Sequence, residues 1–465
     1  MTNILPIALV LAIIIGISLR IWSCFAAFGI WDRGDEAEYV NMTWLMVHGY
    51  GWPSLDLRSP FFPLLLHFPL SAAALLAIKG NSVMLLCRLF NSIFSLSLIF
   101  SSYVFAKEIY SEKVAAITAI LISFSAPIIE WTPRVMTEVP AIALVFASFA
   151  LTAYSLRKKS YLTMIFAGSI LGFSYLTRFT FAVFLIPILI YLLIKRKTAL
   201  AGGFIVGFLA VFIFGGALDY LIWGEFYHAP LQFFEYNVIL GLDHTSLDVL
   251  YYIRNLAWYV TPLGLVLSVF GLKKDKRTLL MLTLVGTFLL MISFTPNYQL
   301  RYGLLLAPLL IVLASNGLLE LAKYLERVVK RLPATKTIMR ALPFLVGFAM
   351  ICLSLIQTFN APYVFNGDAA NAALFLNEQT DVKGVITVDF ACKMGEYIFL
   401  QKDVPIYEYT TQSLSTLEEF CNNANYIIVM NEWYLQINSG ANEIISSYNF
   451  VDYQRFNGVY VLKKT

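Results

Sequence analysis

The stretch from Trp31 to Tyr39 reads WDRGDEAEY and follows the first long apolar run of the chain. It holds four carboxylates and one arginine within nine residues, whereas only 13% of the whole sequence is charged. An acidic cluster beside apolar segments is costly unless polar partners satisfy it. We therefore expect the rest of the chain to be a scaffold that holds this acidic turn at one face of a membrane.

The composition of the whole chain supports this expectation. Of 465 residues, 59% are hydrophobic, and the mean hydropathy is +0.72. Soluble proteins carry roughly a quarter charged residues, so the chain is predicted to be an integral membrane protein. The net charge of +4 arises from short basic clusters between apolar runs. That arrangement is typical of a lipid bilayer protein and gives no indication of a nucleic-acid partner.

Apolar runs of spanning length predict about eleven transmembrane helices. The first run, from Ile4 to Ala27, lacks a basic leading segment and a cleavage motif, so it is predicted to be retained as a span. A further run, from Phe61 to Ile78, contains prolines and is predicted to lie in the interface beside a helix from Asp35 to about His48. The spanning runs lie near 4–28, 83–106, 114–130, 138–156, 162–178, 180–194, 199–218, 255–271, 278–294, 300–319 and 341–359.

Basic clusters predict the orientation of these spans in a cell membrane. The clusters fall on one side if all the runs cross, and the positive-inside rule makes that side cytoplasmic. The N-terminus is then cytoplasmic, and the C-terminus and the Asp35 turn are extracytoplasmic. The clusters are Arg157 to Lys159, Lys195 to Lys197, Lys273 to Arg277, and Lys323 to Arg340.

The composition changes after Asn360, which predicts two domains. Residues 1–360 form the all-α polytopic membrane domain, and residues 361–465 form a small extracytoplasmic α/β domain. Cys392 and Cys421 could pair there if the domain is outside the cell. Strands are predicted near 385–389, 426–430 and 458–462, and helices near 368–378, 393–400, 413–424 and 443–447.

The acidic turn has a purely structural explanation. Asp35 can cap the helix that it begins, and Glu38 three residues later completes a capping-box pattern. Glu36 would then complement the helix dipole. One cap needs one carboxylate rather than four, so we also expect a functional role for this turn.

Glu138 and Arg58 are predicted to lie at the same face as the acidic turn. Glu138 opens a span after Thr137, which could simply cap that helix. Arg58 precedes the interfacial segment and could form an ordinary ion pair with Asp56 or Asp32. Neither alternative can be decided from the residues alone.

Arg178 and Arg301 lie at the predicted outer ends of apolar runs. Each could reach the interface by snorkelling, or could pair with an anion. Arginines on the outer side run against the positive-inside trend, which calls for a specific reason. Several of them near a bilayer face could hold a lipid phosphate through bidentate contacts.

The ordered set of motifs resembles the GT-C membrane glycosyltransferases that use polyprenyl-phosphate-linked sugars. The similar groups are the protein O-mannosyltransferase and aminoarabinose-transferase-like enzymes, a glycosyltransferase family 39-like set, over roughly the first 320 residues. The motifs are Gly34 to Tyr39 (GDEAEY), Leu57 to Pro60 (LRSP), Cys87 to Phe90 (CRLF), Met136 to Pro140 (MTEVP), Leu176 to Arg178 (LTR), and Arg301-Tyr302 with Pro308.

The resemblance implies the activity. A single sugar, such as the hexose mannose, would move from a polyprenyl- or dolichyl-phosphate donor to a hydroxyl of a protein, lipid or glycan acceptor, with inversion. The W-W-D signature of oligosaccharyltransferases is absent, which argues against transfer of a whole oligosaccharide. The same resemblance implies a GT-C fold with an interfacial first-loop helix pair.

The resemblance also implies roles for the candidate site residues. Asp35 would be the general base, and Glu36 or Glu138 would orient the acceptor or hold a divalent cation, with no other cofactor expected. The donor phosphate would be bound by Arg58, Arg178, Arg301 and Tyr302. Glu138 stands where the similar enzymes more often have Asp, and Ser59 where they more often have Lys, so the phosphate site here is expected to be built differently.

Two other classes of function compete with the enzyme. A secondary transporter predicts charges in the middle of spans and paired inverted halves, whereas this chain places its charges at the outer ends. A non-catalytic membrane assembly protein would need no cluster of Asp35, Glu138 and arginines at one face. The enzyme predicts that Asp35 and Glu138 face one cavity open to lipid.

Overall fold

The protein is a helical bundle followed by a small sheet, seen in a computed structural model. The structure describes residues 4–28, 35–49, 58–240, 248–273, 275–295, 298–329, 336–360, 368–388, 400, 404–409, 413–429, 435–436, 440–456 and 458–465. The helices of the bundle are α1 Ile4–Ala26, α2 Asp35–Val47, α3 Phe61–Leu75, α4 Asn81–Ile109, α5 Glu112–Ser123, α6 Ala126–Trp131, α7 Glu138–Lys158, α8 Tyr161–Thr177, α9 Leu185–Ile194, α10 Thr198–Trp223, α11 His228–Phe234, α12 Tyr251–Arg254, α13 Leu256–Val260, α14 Pro262–Phe270, α15 Lys276–Ser293, α16 Leu306–Val329 and α17 Lys336–Asn360.

Every predicted spanning run is helical over most of its length. Within the described residues, seven helices are long and apolar enough to cross a membrane, namely α1, α4, α7, α10, α15, α16 and α17. Helix α8 and the segment Phe179–Ile194 are apolar but shorter. The prediction of an all-α polytopic membrane domain is thereby confirmed.

The run near 114–130 is one of those that the structure interrupts. Helix α5 ends at Ser123 and α6 begins at Ala126, with Pro127 in its first turn. The hydroxyl of Ser354 bridges the gap, donating to the carbonyl of Phe124 (2.6 Å) and accepting from the amide of Ala126 (2.8 Å). The freed backbone groups are thus satisfied inside the bundle, as a membrane interior requires.

A buried arginine covers the end of α5. Arg20 of α1 is fully buried and donates to the carbonyls of Ile122 (3.1 Å) and Ser123 (3.0 Å) and to the hydroxyl of Ser95 (2.7 Å). A cation at a helix C-terminus offsets the negative end of the helix dipole. Arg20 therefore ties α1 and α4 to the point where α5 stops.

The first loop returns to the end of the bundle from which it left. Arg88, in the first turns of α4, donates a hydrogen bond to the carbonyl of Ala27, just after α1. Helix α3 has 15 residues, fewer than the roughly 20 that a span requires. Helices α2 and α3 pack on each other through Tyr39, Val40 and Phe62. The run from Phe61 is thus paired with α2, as predicted, and its place in the membrane interface stays a prediction.

Helices α8 and α10 cross in direct backbone contact. A Cβ added at Gly207 would lie 1.9 Å from the carbonyl oxygen of Ile165, and one added at Gly168 would lie 2.0 Å from that of Phe204. Only glycine permits this approach, and small residues at helix contacts are usual in membranes. The crossing fixes the end of α8 beside the end of α10, where the residues discussed below are found.

The chain ends in a five-stranded mixed sheet of order β2-β1-β3-β5-β4. Strand β1 pairs in parallel with β2 and β3, whereas β5 pairs antiparallel with β3 and β4. The strands are β1 Val385–Val388, β2 Ile406–Tyr409, β3 Tyr426–Val429, β4 Phe450–Phe456 and β5 Val459–Lys464, with helices α18 Asp368–Glu378, α19 Leu414–Asn423 and α20 Ala441–Ser447 beside them.

The two strands that the sequence did not predict, β2 and β4, form the edges of this sheet. Most residues of β4 are exposed, so the strand lacks the run of apolar residues that revealed the central strands. The predicted helix near 393–400 and Cys392 lie almost wholly outside the described residues. Cys421 is buried, and burial raises the pKa of its thiol to about 11.

A polar cluster fastens the central strands to the loop before β1. The hydroxyl of Tyr426 donates to Asp381 (2.7 Å), and the ammonium of Lys463 lies 3.0 Å from the same carboxylate. These two contacts hold the pKa of Asp381 below its ordinary value.

Helix α18 lies between the sheet and the first-loop helices. Ala372 and Leu376 pack into the sheet, whereas Ala373 packs into the cluster formed by α2 and α3. The sheet is therefore placed at the end of the bundle that carries the acidic turn.

Candidate active site

The segment from Val135 to Glu138 lies between the acidic turn and two arginines. The amide of Val135 donates to Oε1 of Glu36 (3.0 Å). One residue on, the sulfur of Met136 lies 3.4 Å from Nη1 of Arg301. The start of α7 therefore links the beginning of α2 to residues from distant parts of the chain.

Glu138 lies next to Arg178 and Arg301. Its Oε1 lies 3.1 Å from Nη1 of Arg178 and 3.7 Å from Nε of Arg301. The carboxylate side chain is 4% exposed, whereas the arginine side chains are 19% and 12% exposed. The aromatic ring of Tyr302 lies 4.9 Å from the guanidinium of Arg178 and 5.1 Å from that of Arg301. Two cations thus share one buried carboxylate and keep part of their surface open.

Thr137 does not act as the predicted helix cap. It stands before α7, but its side chain makes no capping hydrogen bond. Its hydroxyl instead accepts a hydrogen bond from Nη1 of Arg178 (3.3 Å). Arg178 is therefore held by Thr137 and Glu138 together, which favours the paired arginine over the simple snorkelling alternative.

Glu36 forms a buried ion pair with Arg88. Both carboxylate oxygens lie 3.4 Å from nitrogens of the guanidinium, and both side chains are almost fully buried. Because Arg88 also donates to the carbonyl of Ala27, the pair joins α1, α2, α4 and the segment before α7. Asp35 is the first residue of α2, and its side chain lies outside the described residues, as do those of Asp32 and Glu38.

Arg58 contacts the first-loop helices. Its guanidinium lies 5.5 Å from the ring centre of Tyr39, a buried residue of α2. The two carboxylates considered as its partners, Asp56 and Asp32, lie outside the described residues. Arg58 is thus placed beside Tyr39, which follows Asp35 by one turn of α2.

The pairing of Glu36 with Arg88 was not predicted. Arg88 belongs to the CRLF motif, and a charged residue inside an apolar run is itself a signal that a buried partner exists. The sequence cannot say which carboxylate that partner is. Arg20 is also a charged residue inside an apolar run, and its partners are backbone carbonyls and a hydroxyl.

No group of three or more potential metal ligands occurs among the residues that the structure describes. The two described candidate carboxylates, Glu36 and Glu138, are each engaged by arginine. His228 pairs with Glu225 (2.9 Å), and His244 lies outside the described part of the chain.

The fold is shared with solved membrane glycosyltransferases. ArnT from Cupriavidus metallidurans, bound to undecaprenyl phosphate, superposes with a TM-score of 0.67 at 13% identity and covers 98% of each chain. The oligosaccharyltransferase AglB from Archaeoglobus fulgidus, in complex with an inhibitory peptide and a dolichol-phosphate, has a TM-score of 0.62 at 12% identity. This match covers 100% of the present chain and 74% of AglB. The predicted GT-C fold is thereby confirmed.

Sequence comparison places the chain in a family. No curated protein sequence matches it, but the model of the Alg9-like mannosyltransferase family matches residues 11–392. This match covers most of the chain and sets aside the transporter and assembly-protein alternatives. The protein is a membrane glycosyltransferase with the GT-C fold, and it belongs to the Alg9-like mannosyltransferase family.

Proposed function

We propose that this protein moves a single sugar, a hexose such as mannose, from a polyprenyl-phosphate donor to an acceptor hydroxyl. Two observations on other proteins support the donor class: ArnT was solved with undecaprenyl phosphate and AglB with a dolichol-phosphate. The AglB complex also contains a peptide, and the acceptor here is a protein, lipid or glycan hydroxyl.

The observation that carries the proposal is the pair of arginines above Glu138. Two guanidiniums around one carboxylate leave an excess of positive charge, and both keep part of their surface open. An arginine fork matches the oxygens of a phosphate. We assign Arg178, Arg301 and Arg58 to the donor phosphate, with Tyr302 as the ring that spaces the first two.

The reaction is a direct displacement. The acceptor oxygen attacks the anomeric carbon while Asp35 takes its proton, and the bond from that carbon to the phosphate oxygen breaks. The electron pair of that bond goes to the polyprenyl phosphate, and the arginines stabilise the charge that develops there. Attack from the face opposite the leaving group inverts the anomeric centre.

Glu36 and Glu138 then have positioning roles. Glu36 is bound to Arg88 and to the amide of Val135, so it fixes the beginning of α2 and with it the backbone of Asp35. Glu138 holds Arg178 and Arg301. The sequence is compatible with a bound divalent cation. Such a cation would need ligands other than these two carboxylates.

We propose that the site faces the outside of the cell. The basic clusters between spans favour a cytoplasmic N-terminus. Because α18 packs on the first-loop helices, residues 361–465 would then form an extracytoplasmic domain on the side of the site, and residues 1–360 the membrane domain.

Replacing Asp35 tests the proposal. Asp35→Asn should lower kcat for transfer from polyprenyl-phosphate mannose by about 10²- to 10⁴-fold, the range for loss of a general base. Glu38→Gln removes a charge from the same turn and serves as the matched control, with kcat within about twofold of wild type. Transfer and lipid-phosphate release are measured in nanodiscs, and near-normal turnover by Asp35→Asn would remove Asp35 from the role.

A further inference from the structure

A narrow cleft opens beside the candidate phosphate-binding residues. It lies between the ends of α8 and α10 and the start of α3, is open at its mouth, and leaves room inside for about one water-sized group. Ser59, at its edge, follows Arg58 directly, and Tyr175, in its wall, lies three residues before Arg178. The cleft therefore adjoins the site without containing the arginines themselves.

A single carboxylate lines this cleft among aromatic rings. Asp219 of α10 is 3% exposed, and its Oδ2 accepts a hydrogen bond from the amide of Ala229 (3.2 Å). Within the described residues, its Oδ1 takes no hydrogen bond. Oδ1 keeps some accessible surface, so a donor that enters the cleft can reach it. The aromatic residues of the wall are Tyr175, Phe179, Phe212 and Tyr227.

Fastening the short helix α11 does not explain the charge of Asp219. The amide of Ala229 needs one acceptor oxygen, which an asparagine would supply equally well. Burying a negative charge for that purpose alone adds a desolvation cost with no matching gain. The second oxygen is therefore available to a donor that enters the cleft from outside the protein.

Tyr227 is held over the cleft in an unusual conformation. Its backbone φ is +60°, in the left-handed region that L side chains rarely adopt. Its ring stacks on Phe212 with 4.6 Å between centroids and lies against Gly216, where an added Cβ would approach the ring to 2.5 Å. Strained backbone of this kind is concentrated at ligand sites.

We propose that a single hydroxyl group of a sugar ring enters this cleft and donates a hydrogen bond to Asp219. Aromatic walls with one well-placed polar group are typical of small-ligand sites. The inference rests on the proposed glycosyl transfer and extends it to the residue that selects the sugar. The ring belongs to the transferred sugar or to a sugar of the acceptor, and both offer the same hydroxyl chemistry.

Removing single hydroxyl groups tests the cleft. In nanodiscs, kcat/KM is measured with polyprenyl-phosphate mannose and its 2-, 3-, 4- and 6-deoxy analogues, and with methyl mannoside and its deoxy analogues as acceptor. The variant Asp219→Asn keeps an acceptor for the amide of Ala229. For wild type, removal of the hydroxyl at one position should lower kcat/KM about 10- to 100-fold, the range for loss of a hydrogen bond to a charged group. For Asp219→Asn, removal of the same hydroxyl should lower kcat/KM by less than about threefold.

The matched control is Glu225→Gln, which removes an exposed carboxylate (73%) beside the same short helix. It should retain the wild-type discrimination. A sensitive position in the donor series assigns the cleft to the transferred sugar, and one in the methyl mannoside series assigns it to the acceptor. Equal losses in wild type and Asp219→Asn at every position would overturn the inference.

Equilibrium binding of the same compounds separates this inference from the proposed function. Hydroxyl-dependent binding that is lost in Asp219→Asn, without any transfer by wild type, would support the cleft and contradict the transferase mechanism. Normal transfer with no effect of Asp219 on discrimination would contradict the cleft alone. Binding by wild type that is the same with and without each hydroxyl would also overturn the inference.

Discussion

At the scale of single residues, one buried carboxylate holds two arginines of the site in place. Arg178 donates to both Thr137 and Glu138, and Nε of Arg301 lies 3.7 Å from the same carboxylate oxygen. A phosphate entering this site would meet guanidiniums already held in position, so little rotamer entropy would be lost on binding.

Replacing Arg178 with lysine should weaken use of the lipid donor. Arg178→Lys keeps the charge but loses the fork that can contact Thr137, Glu138 and a phosphate together. We expect kcat/KM for polyprenyl-phosphate mannose to fall about 10- to 100-fold, as for loss of a charged hydrogen bond. Arg254→Lys, at an exposed ion pair with Asp248, is the control. Equal kinetics in the two variants would contradict the assignment.

The Glu36–Arg88 pair should affect stability and turnover together. Glu36→Gln leaves a buried guanidinium uncompensated, which costs about 3–5 kcal/mol in the free energy of unfolding. The double variant with Arg88→Met should cost less than the sum of the single variants. In protein that remains folded, kcat should fall while donor affinity stays near wild type, because Glu138 rather than Glu36 pairs with Arg178 and Arg301.

The control for this pair is Glu112→Gln, at the exposed pair with Lys107, where the cost should be below about 1 kcal/mol. Full stability of Glu36→Gln would mean that the pair is not buried as described. A lower donor affinity with unchanged kcat would contradict a role in placing Asp35.

At the scale of helices and strands, the hydrophobic runs predicted where helices lie better than whether each helix is continuous. The run near 114–130 is interrupted where Ser354, from a helix more than 200 residues later, satisfies the free backbone groups. No local pattern can announce such a distant partner. The edge strand β4 was missed because it buries few apolar side chains.

The crossing of α8 and α10 can be tested with two glycines of the same helix. Gly207→Ala would place a Cβ 1.9 Å from a carbonyl oxygen, whereas Gly202→Ala meets nothing within 4 Å. The first variant should lose at least about 1–3 kcal/mol of stability through overpacking. The second should be unchanged or more stable by up to about 1 kcal/mol. Thermal unfolding in detergent measures both, and similar melting temperatures would contradict the close crossing.

At the scale of the whole molecule, three separate parts of the chain meet at one end of the bundle. The first loop, the segment from Val135 to Glu138, and the late Arg301-Tyr302 pair are joined there by direct contacts. The sheet lies near the same end, because Ala373 of the adjoining helix α18 packs on the first-loop helices. The sequence predicted that Glu138, Arg178 and Arg301 share one end, because few charges lie at the ends of the apolar runs. It could not predict the pairing geometry, which depends on how the helices cross.

The central claim is that this end of the bundle takes its sugar from a lipid phosphate, and the identity of the donor tests it most directly. Wild-type protein in nanodiscs is given polyprenyl-phosphate mannose or nucleotide-linked mannose, and released lipid phosphate and glycosylated acceptor are both counted. We predict one polyprenyl phosphate released for each sugar transferred, and no transfer from the nucleotide-linked donor. Transfer from the nucleotide-linked donor with the lipid-linked donor unconsumed would contradict the account.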